Sequence, residues 1–239
     1  VIPNYFSLTL SQVRVIEFSN IALSDLRSPS LSYYQRLIKR VFYLAIAGLL
    51  LIVLFPIFLV IMVMIRIGSP GPIFYISERV KENSELFGMI KFRTMFVDHG
   101  GSSVSVRGEK RITPIGAVLR RFKIDEFPEL WNILIGDMSF VGPRPDMPES
   151  IARLQGEQRE MLSLRPGLTS PASIKYAREE ELLSMVPDPH KHFDEVIWPD
   201  KTRMNLAYVR ERSFFGDIKL IFRTLFGEKG KSSDHPIQP

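Results

Sequence analysis

An apolar stretch constrains this chain more than any other part of its sequence. Residues 41–65 form a run of 25 residues without a charged side chain, made mostly of Leu, Ile, Val and Phe. As one helix, the stretch would be about 37 Å long, enough to cross a hydrocarbon core of roughly 30 Å. The sequence therefore predicts a membrane segment here.

Pro56 divides this stretch into two arms. A proline in a helix interior removes a backbone donor and clashes with the carbonyl four residues earlier, that of Ile52, so a kink is expected. The arms would measure about 22 and 15 Å, and neither would span a bilayer alone. Both ends of the stretch have basic neighbours: Arg36, Lys39 and Arg40 before it, Arg66, Arg79 and Lys81 after it. A crossing helix usually shows basic asymmetry, so these flanks favour a helix that bends at Pro56 and leaves through the face it entered. Hydropathy alone keeps a crossing helix as an alternative.

Composition excludes several classes of protein. The chain has no cysteine, which rules out disulfides, thiolate catalysis and cysteine-ligated zinc. Its net charge of +5 is modest, so charge alone does not indicate a nucleic-acid partner. A mildly basic chain equally suits an anionic membrane surface. No Asp-x-Asp pair occurs, so the metal motif of many nucleotide-sugar glycosyltransferases is missing.

The remaining sequence predicts a mostly helical domain with a small sheet. A proline-glycine turn at 69–72 leads into two short strands, 73–76 and 90–95, around a polar turn near 82–85. Helices are expected over 115–121 and 126–135, followed by a polar helix over 149–164. Apolar residues also recur at helical spacing over 214–226. That helix would lie in the membrane interface or pack on the domain core, and the pattern fits both.

Two adjacent carboxylates, Asp125 and Glu126, are the sharpest local signal. Pro128 is tolerated only in the first turn of a helix, so a helix should begin near the pair. A helix N-terminus favours negative charge and also suits a phosphate or metal–phosphate group. The ionised carboxylates could bind Mg²⁺, or one could attack phosphorus as a nucleophile. Taken alone, such a pair is more often a simple helix cap.

Basic residues near this pair in the sequence are candidates for binding phosphate. Arg120 precedes the pair, and Arg144 lies between two prolines that restrict its backbone. Arginine matches phosphate oxygens bidentately, which makes a rigidly held Arg144 a candidate diphosphate clamp. Lys91 and Arg93 should share one face of the second predicted strand because side chains alternate along it. Surface salt bridges and solvated charges are the alternatives for these residues.

Together, these motifs resemble those of the bacterial sugar transferases, also called monotopic phosphoglycosyl transferases or polyprenyl-phosphate sugar-1-phosphate transferases. The resemblance covers about residues 36–225, and the order of its motifs is highly specific. In chain order they are Lys39-Arg40 before the apolar stretch, Ser69-Pro-Gly-Pro72, Glu78-Arg79, Lys91-Phe-Arg-Thr-Met95, Ile124-Asp-Glu-Phe-Pro128, Trp131-Asn132, Gly136-Asp-Met-Ser139, Val141-Gly-Pro-Arg-Pro145 and Arg165-Pro-Gly-Leu-Thr169.

The resemblance implies a two-step transfer of sugar-1-phosphate from a UDP-sugar to a polyprenyl (undecaprenyl) phosphate, the first membrane step of a bacterial surface-glycan or glycoconjugate pathway. Asp125 would attack the sugar-bearing phosphorus and expel UMP. Glu126, with Asp125, would hold Mg²⁺, and Arg120 and Arg144 would contact phosphate. Lys91 and Arg93 stay further candidates for phosphate binding on the residue argument above.

The implied fold is α+β and mostly helical, with a proline-broken re-entrant N-terminal helix, a small β-hairpin and interfacial amphipathic helices. We divide the chain into a lead-in (1–35), the re-entrant membrane helix (36–68), a cytoplasmic catalytic domain (69–227) and a flexible tail (228–239). The protein would lie on the cytoplasmic face of the bacterial inner membrane. Its partners would be the UDP-sugar, polyprenyl phosphate and membrane lipids, with no nucleic acid, and a homo-oligomer stays open. A non-catalytic membrane-anchored scaffold of a glycan assembly complex is the alternative function.

The chain departs from the family pattern in three places. Phe55 precedes Pro56 where Ser is common. Tyr43 follows the basic pair Lys39-Arg40 where an Asp is usual, so the sequence does not show what ties down the first arm of the membrane helix. Residues 170–176 differ from the commoner version of that segment. We therefore take no binding residue from residues 170–176.

Overall fold

The computed structural model describes residues 14–18, 21–25, 33–97 and 111–227. Its helices are α1 Tyr33–Gly68, α2 Pro114–Arg121, α3 Glu129–Ile135, α4 Pro148–Ala152, α5 Pro171–Lys175, α6 Glu179–Ser184, α7 Pro189–His192, α8 Trp198–Glu211 and α9 Phe214–Phe226. Its strands are β1 Arg14–Phe18, β2 Ile21–Asp25, β3 Phe74–Val80, β4 Leu86–Phe92, β5 Ser139–Val141 and β6 Gly167–Thr169. Shorter 3-10 segments cover Glu82–Ser84, Ile124–Glu126 and Gly156–Ser163, and a π-helical turn covers Phe193–Ile197.

These described residues are mostly helical, as the sequence predicts, and their strands form only two-stranded sheets. The predicted lead-in lies mainly outside the described residues, apart from the antiparallel pair β1–β2 and the start of α1. The predicted tail and the loop between residues 98 and 110 lie outside them entirely.

Helix α1 continues through Pro56 without interruption. A proline removes only one helix donor, so a helix can stay continuous past it and still bend there. By length and composition α1 could cross a membrane, and only 17% of its most apolar 18-residue window is buried. A core helix of a soluble protein would be mostly buried. Helix α1 therefore has the properties of a membrane helix.

One face of α1 packs against the rest of the domain along most of the helix. Its first half contributes Tyr43 and Ala47 to a core shared with α3 and β5. Its second half contributes Phe58 and Ile65 to a second core, shared with β4 and α2. The other face exposes large apolar side chains such as Ile52. The domain thus covers one side of the membrane helix and leaves the opposite side uncovered.

The predicted hairpin is present, with longer strands than expected. β3 and β4 pair antiparallel from Phe74↔Phe92 to Val80↔Leu86. The free edge of β4 binds the side chain of Asn132 on α3, which accepts a hydrogen bond from the Ile90 amide (3.1 Å) and donates one to the Gly88 carbonyl (2.8 Å). Asn132 therefore serves as an extra strand partner and fixes α3 beside β4.

Two predicted helices are shorter than expected. The helix predicted over 126–135 begins only at Glu129, with Pro128 as its cap residue. Lys123 has a left-handed backbone (φ 58°), which turns the chain and leaves residues 124–126 as a separate 3-10 turn. The polar helix predicted over 149–164 is divided into α4 and a 3-10 segment, where Gly156 has a φ of +50°. A left-handed residue thus lies inside the second predicted helix, whereas in the first case it precedes the 3-10 turn before α3.

A close backbone contact holds the turn that follows β5. Strands β5 and β6 pair in parallel, and the Gly167 amide donates to the Pro143 carbonyl (2.8 Å). A Cβ at Gly142 would lie 2.4 Å from the Arg165 carbonyl oxygen, so any side chain there would push the two segments apart. This contact fixes the start of the Gly142-Pro-Arg144 turn.

The predicted amphipathic helix over 214–226 is confirmed as α9. Leu220 and Ile221 pack on the core, so the core-packing alternative is confirmed for one face. Phe215, Phe222 and Phe226 are exposed on the rest of the helix. That surface stays available for a membrane interface.

Candidate active site

The carboxylate pair lies on the 3-10 turn between α2 and α3. The left-handed backbone of Lys123 turns the chain, and the amide of Glu126 donates back to the Lys123 carbonyl (3.3 Å). Asp125 and Glu126 are only 8% and 9% exposed. The pair thus precedes the helix rather than occupying its first α-helical turn, which corrects the predicted position.

Glu126 is the centre of a group of ion pairs. Its Oε1 lies 2.9 Å from Lys91 Nζ and accepts a short hydrogen bond from Arg144. Burial alone would raise the pKa of Glu126, but Arg144 and Lys91 outweigh burial and hold that pKa well below its usual value. Glu126 is therefore ionised at neutral pH and keeps both cations in place.

A third carboxylate, Glu129, joins this group from the first turn of α3. Lys91 Nζ lies 3.2 Å from Glu129 Oε1, and Glu129 is only 1% exposed. Burial raises the pKa of Glu129 to about 7, an effect that Lys91 opposes and the charge of Glu126 strengthens. Glu129 was not among the site residues predicted from the sequence. Its spacing from Glu126 could have identified it, because residues three apart lie on one side of a helical turn.

Asp125 carries a buried oxygen without a hydrogen-bond donor. Its Oδ1 makes no hydrogen bond within the described residues, and neither does Glu129 Oε1, although Lys91 Nζ lies 3.2 Å from that Glu129 oxygen. Burial, and then the charge of Glu126, raise the pKa of Asp125, whereas Lys91, Lys123 and Arg120 act to lower it. A buried oxygen without a donor is costly, and such groups are rare unless they serve a function. This oxygen can act as a nucleophile or as a ligand.

The structure brings some of the predicted cations together and separates others. Lys91 and Arg144 both bind Glu126. Arg120 acts on the pKa of Asp125 and forms an ion pair with Glu180 of α6.

Arg93 lies elsewhere. Its guanidinium donates to the Ser69 carbonyl (2.7 Å), the Ser69 hydroxyl (2.8 Å) and the Pro70 carbonyl (2.8 Å), and so holds the proline-glycine turn after α1. β4 ends at Phe92, so the alternation that would have placed Arg93 on the same face as Lys91 no longer applies.

The C-terminal helices add charges that the sequence analysis did not single out. Asp146 lies two residues after Arg144. The backbone amide of Val80, at the end of β3, donates a hydrogen bond to the backbone carbonyl of Asp146 (3.1 Å). Burial raises the pKa of Asp146 to about 6, while Lys201, Arg79 and Arg144 act to lower it. Lys201 belongs to α8, so the distant end of the chain contributes to the electrostatics of this site.

The carboxylates fit a metal ion only in partnership with a substrate. Within the described residues, no group of three or more His, Cys, Asp or Glu side chains is arranged to hold a metal. The Asp125 Oδ1 is free of donors, whereas the oxygens of Glu126 face two cations. Mg²⁺ commonly takes one or two carboxylates and completes its shell with water and phosphate oxygens. Asp125 and Glu126 therefore fit Mg²⁺ shared with a phosphate rather than a cage built by the protein alone.

Known proteins with similar sequences agree with the family resemblance. The family model described as bacterial sugar transferase matches residues 34–228. The chain is 32% identical over 234 residues to an undecaprenyl-phosphate glucose phosphotransferase of Komagataeibacter xylinus, covering 94% of this chain and 42% of that protein. It is 30% identical over 235 residues to the UDP-glucose:undecaprenyl-phosphate glucose-1-phosphate transferase of Escherichia coli K12, covering 94% and 47%.

A third relative is closer in length. The chain is 29% identical over 204 residues to the exopolysaccharide production protein ExoY of Sinorhizobium fredii, covering 78% of this chain and 83% of that protein. It thus spans less than half of the first two relatives and most of the third. The family match extends over most of the described residues, including α1 and the carboxylate site. The chain belongs to the bacterial sugar transferase family.

Proposed function

We propose that this chain is a phosphoglycosyl transferase that moves a sugar-1-phosphate from a UDP-sugar to a polyprenyl phosphate and releases UMP. The observation that carries the proposal is the buried Asp125 Oδ1, which has no hydrogen-bond donor within the described residues. The names of two relatives include undecaprenyl phosphate together with glucose phosphotransferase or glucose-1-phosphate transferase. The reaction would start a surface-glycan or glycoconjugate pathway at the cytoplasmic face of the inner membrane.

In the first step, Asp125 acts as the nucleophile. Its carboxylate oxygen forms a bond to the sugar-bearing phosphorus, and the bond from that phosphorus to the bridging oxygen of the diphosphate breaks. UMP leaves with the bridging oxygen. The attack requires ionised Asp125, and Lys91, Lys123 and Arg120 favour that form against burial.

In the second step, polyprenyl phosphate takes the sugar-phosphate. One of its phosphate oxygens bonds to the same phosphorus, and the bond to Asp125 breaks. The carboxylate is restored, and the product is a polyprenyl diphosphate sugar. Because phosphoryl transfer depends mainly on positioning and charge stabilisation, one group of cations can serve both steps.

Glu126, Lys91 and Arg144 prepare the site for a diphosphate. Glu126, the residue next to Asp125, holds both cations, which would neutralise phosphate oxygens as charge builds up. Arg120 would add a third contact after leaving Glu180. Mg²⁺ held by Asp125 and Glu126 with the substrate would supply further charge neutralisation.

The first prediction concerns Asp125→Asn in the purified protein. Because the amide is a poor nucleophile, UMP release from UDP-sugar and polyprenyl phosphate should fall by at least about 10³-fold. Asp194→Asn is the matched control, since Asp194 forms an exposed ion pair with Arg153. The measurement is UMP formation across a panel of UDP-sugars. Normal turnover in the Asp125 variant would refute the proposed nucleophile.

A scaffold function is the rival proposal. A non-catalytic scaffold of a glycan assembly complex would tolerate loss of Asp125 and Glu126 but would require its basic surfaces. The covalent step separates the two functions. Incubation with UDP-sugar alone should add the mass of one sugar-phosphate to the wild-type chain and none to Asp125→Asn.

For the membrane arrangement, we propose that α1 enters and leaves the bilayer through one face, bending at Pro56. Near its start, Arg40 donates to the carbonyls of Ile133 (2.9 Å) and Leu134 (3.2 Å). Near its end, Ile65 is buried in the core shared with β4 and α2. These two regions of α1 are about 37 Å apart along the helix. If α1 crossed the bilayer, the charged domain that contacts both regions would have to enter the hydrocarbon, which supports the re-entrant form.

The second prediction tests this arrangement by cysteine labelling. The chain has no cysteine, so Gln35→Cys and Glu149→Cys each create a unique thiol, one before the membrane segment and one in the domain. In intact cells, a membrane-impermeant thiol reagent should label neither position. Both should react after the cells are opened. Labelling of Gln35→Cys alone in intact cells would show a crossing helix.

A further inference from the structure

A groove on the C-terminal side of the domain is separate from the carboxylate site. It has a volume of ≈ 320 Å³ and lies between α8, the start of α9 and Pro171. Its walls are largely apolar and include Met204, Ala207 and Leu220. None of its lining residues belongs to the group around Asp125. The groove is therefore a candidate binding site in its own right.

One end of the groove is positively charged. Arg212 lines it, and its Nη1 is buried without a hydrogen-bond partner. The start of α1 lies close to this end, because Lys39 of α1 forms an ion pair with Asp217 of α9. The pKa of Arg212 is lowered by burial and also by the positive charge of Arg36 on α1. Neither arginine forms an ion pair with a side chain in the described residues. An anion at this end would relieve both the burial cost and the repulsion.

The carboxylates near this end do not neutralise it. Asp217 is close to Arg212 but already binds Lys39 and accepts hydrogen bonds from Tyr43 (3.3 Å) and Tyr208 (2.7 Å). Glu211 lines the groove and is exposed. The two arginines outnumber this one remaining carboxylate, so the end of the groove keeps a positive charge.

The groove also opens beside surfaces suited to lipid. The rings of Phe42 on α1 and Phe214 on α9 are in contact, with centroids 5.8 Å apart. Next to this contact, Phe215 is 81% exposed, and Leu37 and Ile38 of α1 are exposed as well. An apolar groove with a cationic end, next to apolar side chains open to the surroundings, matches the shape and charge of a lipid with an anionic head.

We propose that this groove binds one anionic phospholipid of the membrane, with the lipid phosphate at Arg212 and Arg36 and an acyl chain along Met204, Ala207 and Leu220. The bound lipid would join the start of α1 to α8 and α9 at the membrane surface. This inference depends on membrane location but not on the transferase chemistry, so a failed Asp125 experiment leaves it standing.

The test uses the purified full-length chain in detergent, titrated with short-chain phosphatidylglycerol or, separately, short-chain phosphatidylcholine. Native mass spectrometry counts the lipids that remain bound. Phosphatidylglycerol should bind once per chain and about tenfold more tightly than phosphatidylcholine, because only its head carries a net negative charge. Equal binding of the two lipids would overturn the proposal.

Variants separate the groove from general attraction to anionic lipid. Arg212→Gln should bring the affinity for phosphatidylglycerol down to that for phosphatidylcholine, and Ala207→Trp should block both lipids by filling the groove. Ala207 is exposed, so the larger side chain should leave the fold intact, which circular dichroism checks. Lys219→Gln is the matched control, because it removes one exposed positive charge from α9 outside the groove lining. Unchanged phosphatidylglycerol binding in Arg212→Gln would refute the site.

A competition experiment identifies the source of the phosphate. An equal concentration of polyprenyl phosphate should leave phosphatidylglycerol in the groove. Displacement at equal concentration would make the groove a site for the acceptor lipid and overturn the assignment to membrane phospholipid. A groove filled by another segment of the chain would bind neither lipid, and that result would also overturn the proposal.

Discussion

Three carboxyl groups within five residues show how strongly local charge decides protonation. Asp125, Glu126 and Glu129 are all buried, and burial raises the pKa of each. Only Glu126 faces both Arg144 and Lys91 closely enough for its pKa to end below its usual value. Glu126 is thus the ionised member that holds the cations. Glu129, with a pKa of about 7, is the member that changes its protonation near neutral pH.

The third prediction follows from Glu129. Its folded pKa of about 7 lies above the unfolded value of 4.5, so between these values the folded state holds a proton that the unfolded state has lost. Its contribution to stability is therefore fully present below about pH 4.5 and is lost as pH rises through about 7. Glu129→Gln should remove this loss and raise the free energy of unfolding at pH 8 by roughly 1–3 kcal/mol.

Urea unfolding at pH 5 and pH 8 is the measurement for Glu129. The wild-type protein should lose more stability between the two values than the variant does. Asp125 and Asp146 also have raised pKa values, so the variant should still lose some stability between pH 5 and pH 8. Lys91 retains Glu126 as its partner in the variant. An equal loss of stability between the two pH values in both proteins would contradict the raised pKa of Glu129.

At the scale of elements, the buried amide of Asn132 joins a helix to a strand edge. Unpaired strand edges usually need covering, and here one side chain satisfies both a donor and an acceptor of β4. The backbone carbonyl of Asn132 also accepts from Gly136, Asp137 and Met138, which ends α3 and turns the chain toward β5. The Trp131-Asn132 motif was visible in the sequence, but its use as a clamp required the register of β4.

The fourth prediction is that Asn132→Leu destabilises the protein. The substitution removes two hydrogen bonds and leaves the Ile90 amide and the Gly88 carbonyl without partners, at a cost of roughly 2–4 kcal/mol. Asn205→Leu is the matched control, because Asn205 is a buried amide on α8 whose Oδ1 has no partner. Urea unfolding should show a much smaller loss in that control. A loss of equal size in both variants would argue against the clamp.

For the whole molecule, Asp217 connects the membrane helix to the C-terminal helices. It is fully buried on α9, binds Lys39 of α1, and accepts hydrogen bonds from Tyr43 of α1 and Tyr208 of α8. A carboxylate partner for the start of α1 is thus supplied from far along the chain (|i−j| = 174 for Tyr43 and Asp217). In this chain a residue of α9 therefore fixes the first arm of the membrane helix to the C-terminal helices.

The fifth prediction is that Asp217→Asn loosens this connection. The change leaves Lys39 as a half-buried cation without its partner and should lower stability by about 3 kcal/mol. Asp194→Asn breaks an exposed pair and should cost less than about 1 kcal/mol. Thermal unfolding and limited trypsin cleavage in detergent measure the two effects. Equal stability of the two variants would show that Asp217 does not anchor α1.

The sequence by itself determined the features that depend on neighbouring residues. Periodicity and composition suffice for the apolar helix, the hairpin and α9, because local hydrogen bonding and the position of apolar side chains decide them. The order of motifs was enough to identify the family and to single out Asp125 and Glu126. Pro128 correctly marked a helix start, although α3 begins three residues after Glu126.

Only the tertiary structure decided which charges meet. Lys91 and Arg144 reach Glu126 from β4 and from the turn after β5, whereas Arg93 turns away because its strand ends one residue earlier. Ion pairs between distant segments depend on strand register and on close backbone contacts such as that at Gly142, which no local pattern encodes. For the same reason, the burial that shifts the pKa of Asp125 becomes visible only when β4, α2 and α3 are assembled around it.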